Sequence, residues 1–197
     1  MHIFALSKED KIMNLIQDMP EPTSTSYAQW IYDRVSDGSM QFDWQELNGI
    51  QQMQDAMYFI DDDGCRFRPP VSEVICKHIA GMIGAQLISA DQMDDRYINA
   101  ELKLDATILP AGPDMQSKAH SIKMNKMLET KRNGFVGLIA DCGKAWLNAP
   151  QTTNYGYYDI NAPYQNAKGI KLWQNKGYRH DKNYSDASQI ALFVKPI

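Results

Sequence analysis

The sequence predicts an α+β fold, with a helical N-terminal region packed on a C-terminal antiparallel β-sheet. Three observations predict it. Apolar residues recur at helical spacing through the first two thirds of the chain. Past Gly134 the pattern changes to short apolar runs separated by Gly, Pro, Asn and Asp, the pattern of strands and turns. Nine of the 20 aromatic residues fall between positions 146 and 193, where strands favour them. Helices first and strands last is an α+β order.

Each element follows from local chemistry. Ser7, with Asp10 three residues on, opens a helix over 8–19; Ile12, Leu15, Ile16 and Met19 share its inner face, and Pro20 and Pro22 stop it. Ser24 to Ser26 cap a second helix carrying Tyr27, Trp30, Ile31 and Val35, ended by Asp37-Gly38. Asp43 and Glu46 read as a capping-box-like pair opening a third helix, with Leu47, Ile50, Met53, Met57 and Ile60 turned inward. Pro69-Pro70 precede a helix over about 72–84 with Val74, Ile75, Ile79 and Met82 or Ile83 as its core face, and His78 packed beside that stripe. Asp91 and Asp94 cap a helix to about Leu102, and a basic helix over about 117–131 ends at Asn133-Gly134. Strands are expected at 135–140, 145–147, 154–158, 170–173 and 189–194. Residues 1–64 read as a helical N-terminal segment and 65–197 as an α+β domain carrying the candidate site, together one cooperative unit. Leu109-Pro110-Ala111-Gly112-Pro113 is the clearest internal boundary.

Composition narrows the class of function. With 44% apolar and 22% charged residues, the chain has the balance of a globular protein. No run approaches the roughly 18 apolar residues of a membrane span, and Lys8-Glu9-Asp10 interrupts the N-terminus too early for a signal peptide, so a soluble cytoplasmic protein is expected. Cys65, Cys76 and Cys142 contain no C-x-x-C pair and read as reduced thiols, with Cys142 weighed further below. The Asp61-Asp62-Asp63-Gly64 turn fails as a calcium loop, because Arg66 and Ser72 stand where Gly and Glu are needed. His2, His78, His120 and His180 show no ligand spacing, so neither metal nor cofactor is expected. Residues 1–98 carry 7 basic and 16 acidic side chains and residues 99–197 carry 13 and 8, so the halves are −9 and +5. This reads as a basic C-terminal surface for an anionic partner or, favoured because the lysines are scattered, as halves that pack together and complement one another. A pI near 5.5 argues against a nucleic-acid partner, and no membrane partner is expected.

Chemistry concentrates in two places. The segment 178–189, directly before the last strand, places His180, Asp181, Asp186, Tyr184 and Ser188 on a loop. His180 suits general acid–base work near neutral pH, oriented by Asp181 or Asp186; the same residues also read as a hydrophilic turn. The second place is Asp141-Cys142-Gly143-Lys144, at the end of the apolar strand. Cys142 reads either as a thiol nucleophile with His180 as base or as a buried thiol, and Lys144 as a cation facing a developing anion. The order Cys, His, acid occurs in NlpC-type and CHAP-type peptidoglycan hydrolases, although their thiol begins a helix and here a strand follows. Tyr184, Tyr158, Trp146 and Trp173 are candidate substrate-binding aromatics. Phosphate-loop, H-E-x-x-H, G-x-S-x-G and G-x-G-x-x-G motifs do not occur.

The C-terminal pattern resembles a known group. The run 134–144 leading to Lys144 is followed by Asn154-Tyr155-Gly156-Tyr157-Tyr158, then by His180 and Tyr184-Ser185-Asp186-Ala187-Ser188-Gln189. This is similar to an uncharacterised family of bacterial and phage proteins that end in His-x-x-x-Tyr-x-Asp-Tyr-Ser-(His or Gln). Arg68-Pro69-Pro70-Val71-Ser72 resembles the segment opening the shared region, so the likeness covers about residues 65–197. Ala187 replaces the usual Tyr, and Tyr158 stands where His is common. The resemblance implies no activity. It adds weight to Lys144, His180, Tyr184, Asp186 and Ser188 as a site, and implies a phage or bacterial source.

Two functions follow as expectations. One is a hydrolase acting on a peptide or glycan of cell-wall (peptidoglycan) type through His180 and Asp186, with Lys144, Ser188 and Cys142 around them. The alternative is a phage virion or other interaction protein, cytoplasmic or virion-borne, whose tyrosines contact a phage or bacterial protein partner.

Overall fold

The structure is a computed structural model that describes residues 15–61, 63–140, 142–177 and 180–197. It mixes helices with mostly antiparallel sheet, so the chain is α+β. Positions 8–14 of the first expected helix, with Tyr178, Arg179 and Asp141 of the polar segments, lie outside the described residues. The helix's end is present as α1 (Leu15–Asp18). The second helix, α2 (Tyr27–Ser36), buries Tyr27 and Ile31 and stops at Asp37-Gly38 as its sequence requires.

The third expected helix is instead a β-hairpin, β1 (Trp44–Leu47) and β2 (Ile50–Met53), with Leu47 opposite Ile50. Between them Asn48 and Gly49 have φ of 53° and 77°. Left-handed backbone at two successive residues is the two-residue turn that matches strand twist, and Asn-Gly is the pair that adopts it at least cost. A short ribbon, β3 (Phe59–Ile60) with β4 (Arg66–Phe67), follows.

Helix α3 (Glu73–Met82) opens on Ser72, whose hydroxyl accepts from the Ile75 N–H. It buries Ile75, Cys76, Ile79 and Ala80, while Val74 and Met82 of the expected core face are exposed. After β5 (Gln86–Leu87), helix α4 (Ala90–Asn99) starts from a capping box of Ser89 and Gln92 rather than from Asp91 and Asp94. Strand β6 (Leu102–Lys103) and a 3₁₀ turn at Pro113–Gln116 lead to α5 (Lys118–Arg132), capped by Ser117 and ended by a left-handed Asn133.

The remaining strands are β7 (Ile139–Ala140), β8 (Lys144–Trp146), β9 (Asn154–Tyr158), β10 (Tyr164–Gln165), β11 (Lys171–Gly177), β12 (Gln189–Ile190) and β13 (Phe193–Pro196). A five-stranded sheet runs β10-β11-β9-β8-β12, and a four-stranded sheet runs β1-β2-β13-β5. Two pairs are parallel, β6 with β7 and β8 with β12. Only Ala191 and Leu192 separate β12 from β13, so the C-terminal segment passes from one sheet into the other. Buried apolar residues from Leu15 to Val194 form one large cluster. Among the described residues no helix is long and apolar enough to cross a membrane.

Candidate functional site

A buried ionic hub fixes the floor on which the site stands. Asp55 is fully buried and receives Arg68 in a bidentate pair, Nε to Oδ1 at 2.8 Å and Nη2 to Oδ2 at 2.6 Å. Arg66 reaches the same carboxylate at 3.1 Å, and Arg68 also bonds Glu129 at 2.9 Å. Burial would raise the Asp55 pKa, but Arg68, the Cys142 thiol and Arg66 outweigh it and hold the carboxyl below its ordinary range. The Cys142 Sγ donates to Asp55 Oδ1 at 3.1 Å. Two residues on is Lys144, so the hub clamps the start of β8.

Close backbone packing then sets β8 beside β12. A Cβ on Gly143, whose φ is 156°, would lie 2.5 Å from the Ser188 carbonyl oxygen. Glycine is required there for the strands to approach. The Lys144 N–H donates to that same carbonyl at 2.7 Å, and the parallel register places Lys144 opposite Gln189. Val71 braces both strands: its N–H donates to the Gln189 carbonyl, and its carbonyl accepts from Trp146 Nε1 at 2.7 Å.

This register brings Lys144 to Asp186, Nζ to Oδ2 at 3.8 Å, with both side chains buried. Asp186 is locked from the other side. Its Oδ1 accepts from the Ser188 hydroxyl at 2.5 Å and the Ser188 N–H at 2.7 Å, while its own N–H donates to Gln189 Oε1. The buried Oδ2 has no hydrogen-bond donor among the described residues, and neither has Ser185 Oγ nor Gln189 Nε2 accepting partners. Burial pushes the Lys144 pKa down against the pull of Asp186. The Tyr157 ring lies 5.9 Å from Lys144 Nζ. Tyr157 reaches that position with a φ of 60°, a strained backbone state for a bulky residue. Its hydroxyl donates to the Thr107 carbonyl at 3.0 Å.

His180 is half-buried and stacks on Tyr184, centroids 4.4 Å apart and planes 11° from parallel. Burial, then the Lys144 ammonium, lower its pKa below 6.5, with Asp186 pulling the other way. His180 therefore lies within the field of both charges. Burial and the Asp186 charge push the Tyr184 hydroxyl up to about 12, so it stays protonated. Asp181, the other expected orienter, instead accepts from the Asn183 N–H and shapes the turn.

The structure thus gathers Lys144, Asp186 and Ser188 at one cavity, while His180, stacked on Tyr184, feels the charges of Lys144 and Asp186 without lining that cavity. It does not bring Cys142 to them as a nucleophile. That thiol is sealed in the hub, and burial followed by the Asp55 charge pushes its pKa up to about 12. Trp146 and Tyr158 are also not binding surfaces: both are buried, Trp146 bonded to Val71 and Tyr158 donating to Asp94 at 3.0 Å. Trp173 is 39% exposed on β11, two strands from β8. A cavity of about 190 Å³ opens beside Lys144, Asp186 and Ser188, and Tyr157 and His120 line it as well. Those last two are additions to the site residues expected from the sequence. Tyr157 had a signal in its Tyr-Gly-Tyr setting; His120 had none. Among the described residues no group of three His, Cys, Asp or Glu is placed to hold a metal ion.

No family model, curated protein or solved structure matches the chain.

Proposed function

We propose that the chain is a hydrolase of peptide or cell-wall type, working through His180, Lys144 and Asp186 with water as the nucleophile. The observation that carries the reading is the buried Lys144–Asp186 pair beside a cavity, within the field of a His held neutral. Paired groups with displaced protonation, gathered at a concave site, are the usual composition of acid–base centres.

Neutral His180 takes a proton from water as its oxygen adds to the substrate's carbonyl carbon. The carbonyl π pair moves onto oxygen, where the Lys144 ammonium stabilises it. Collapse breaks the carbon–nitrogen bond, and the protonated His180 returns its proton to the leaving amine, so one water is added across the amide. Asp186 is a positioning residue: it keeps Lys144 charged against burial and is itself held by Ser188. Tyr184 orients the imidazole by stacking.

The resemblance to bacterial and phage proteins makes a peptidoglycan peptide the first substrate to test, reached from the cytoplasm or a virion. The assay incubates the protein with purified sacculi and with a synthetic peptide panel, and counts new amino groups. Their release supports hydrolysis; none from either substrate refutes it.

One observation favours the alternative of an interaction protein. Tyr164 on edge strand β10 and Ile160 just before it are 53% and 73% exposed, with Trp173 exposed on neighbouring β11. A stable complex blocked by Trp173→Ala and Tyr164→Ala, in a protein without hydrolytic activity, would establish it. In both readings the N-terminal helices and the β1–β2 hairpin, whose second strand pairs with β13, form a single folding unit with the C-terminal strands.

A further inference from the structure

We infer that the cavity beside Lys144 receives one apolar amino-acid side chain, so that the site recognises a peptide and not a glycan. The inference rests on the hydrolase reading for what is done to the peptide, though not for what is bound.

Size comes first. The cavity measures about 190 Å³, and an apolar cavity of about 150 Å³ takes a benzene-sized guest. It therefore has room for one side chain of the size of Leu, Met or Phe, and none for a disaccharide.

The walls give the chemistry. Leu109, Met115, Met124 and Ala187 surround the space, and Ile108, 53% exposed, stands on its outer side. A sugar ring carries hydroxyls around its whole edge, and each one buried against these walls loses a hydrogen bond to water without replacement. An aliphatic or aromatic side chain loses nothing there. Two methionines make a pocket that adapts its shape, so Leu, Met and Phe are all accepted.

Besides His120, the polar lining is the group Lys144, Asp186 and Ser188, which converge on one another by an ion pair and a hydrogen bond. A side chain seated among the apolar walls leaves its own backbone at that group. Its carbonyl oxygen then has Lys144 as partner. Asp186 Oδ2, held at 3.8 Å from the Lys144 ammonium and short of a close hydrogen bond, has acceptor capacity left for the substrate's N–H. One amino-acid residue satisfies the apolar walls and the polar group together.

The test uses the intact protein labelled at methionine methyl groups with ¹³C and read by NMR. Met115→Leu and Met124→Leu assign the two reporter signals. The probes are N-acetyl-leucinamide, N-acetyl-glycinamide and N-acetylglucosamine. The leucine compound is expected to shift both methyls saturably, with the glycine compound at least about tenfold weaker, the loss of one buried aliphatic side chain. N-acetylglucosamine is expected to leave both signals in place. Ala111→Trp, at an exposed position on the cavity lining, is expected to abolish the leucine shift. Equal effects of the leucine and glycine compounds, or a saturable shift by the sugar, would overturn the inference. Cleavage of peptides with no preference for apolar residues would also overturn it and leave the hydrolase standing. A leucine shift in a protein that cleaves nothing supports the side-chain site and removes hydrolysis alone.

Discussion

The Lys144 ammonium stands 3.8 Å from Asp186 Oδ2, inside a protein interior that hides nearly all of both side chains. The pairing is a product of sheet register, since β8 and β12 run parallel and set Lys144 opposite Gln189. Two buried charges of opposite sign tolerate each other; either one alone is expensive.

Asp186→Asn is therefore expected to destabilise the fold by about 3 kcal/mol or more, leaving Lys144 buried without its counter-charge. Lys144→Met is expected to lower turnover by about a hundredfold or more through loss of oxyanion stabilisation. The double variant should be more stable than the sum of the two single losses. Urea unfolding of all four proteins checks this, and strict additivity would show the pair to be uncoupled.

The His180 shift fixes a direction for pH dependence. Its folded pKa lies below 6.5, so between that value and 6.5 the unfolded chain binds more protons than the folded one. The stability contribution of neutral His180 is thus complete above about pH 6.5 and is lost as pH falls through the folded value. Activity should follow the same limb, with the midpoint of kcat/KM below pH 6.5 and the plateau reached about one pH unit above that midpoint. His180→Ala should remove the limb. A profile still rising well above pH 7 would assign the base elsewhere.

Thiol chemistry tests the hub. Of Cys65, Cys76 and Cys142, the first is half-buried and the other two are buried. Native protein should yield no more than the Cys65 thiol to a disulfide-exchange reagent, and denatured protein all of them. Cys142→Ser, which keeps a donor to Asp55, should retain most activity. Rapid labelling of native Cys142 with loss of activity would restore the thiol as a nucleophile.

The hairpin offers a backbone test. Gly49 sits at a φ of 77°, and Gly49→Ala should destabilise the protein by about 1–2 kcal/mol from left-handed strain alone. The melting temperature measures it; an unchanged value would mean that the turn relaxes to another type.

Much of this was legible in the residues. Serines at 72 and 117, and Asn133 with Gly134 after the basic run, mark helix ends where the structure has them. The polar loop at 180–188 and Lys144 at a strand start were visible as chemistry at strand ends. The hairpin was hidden because Leu47, Ile50, Met53, Met57 and Ile60 happen to recur at helical spacing, while the stronger signal was Asn48-Gly49 between short strands. His120 could not be read as a site residue, and Tyr157 only through its Tyr-Gly-Tyr setting: their place beside Lys144 depends on strand pairing and on helix packing between distant segments. Trp146 and Tyr158 looked like contact surface because aromatic residues serve cores and binding sites alike.

The most direct measurement is the release of new amino groups from the peptide substrate by wild type and by His180→Ala, at equal concentration and with melting temperatures compared. His180→Ala is expected to lower release by about a hundredfold or more with little change in melting temperature. Unchanged release by a folded His180→Ala protein, or no release by wild type, would contradict this.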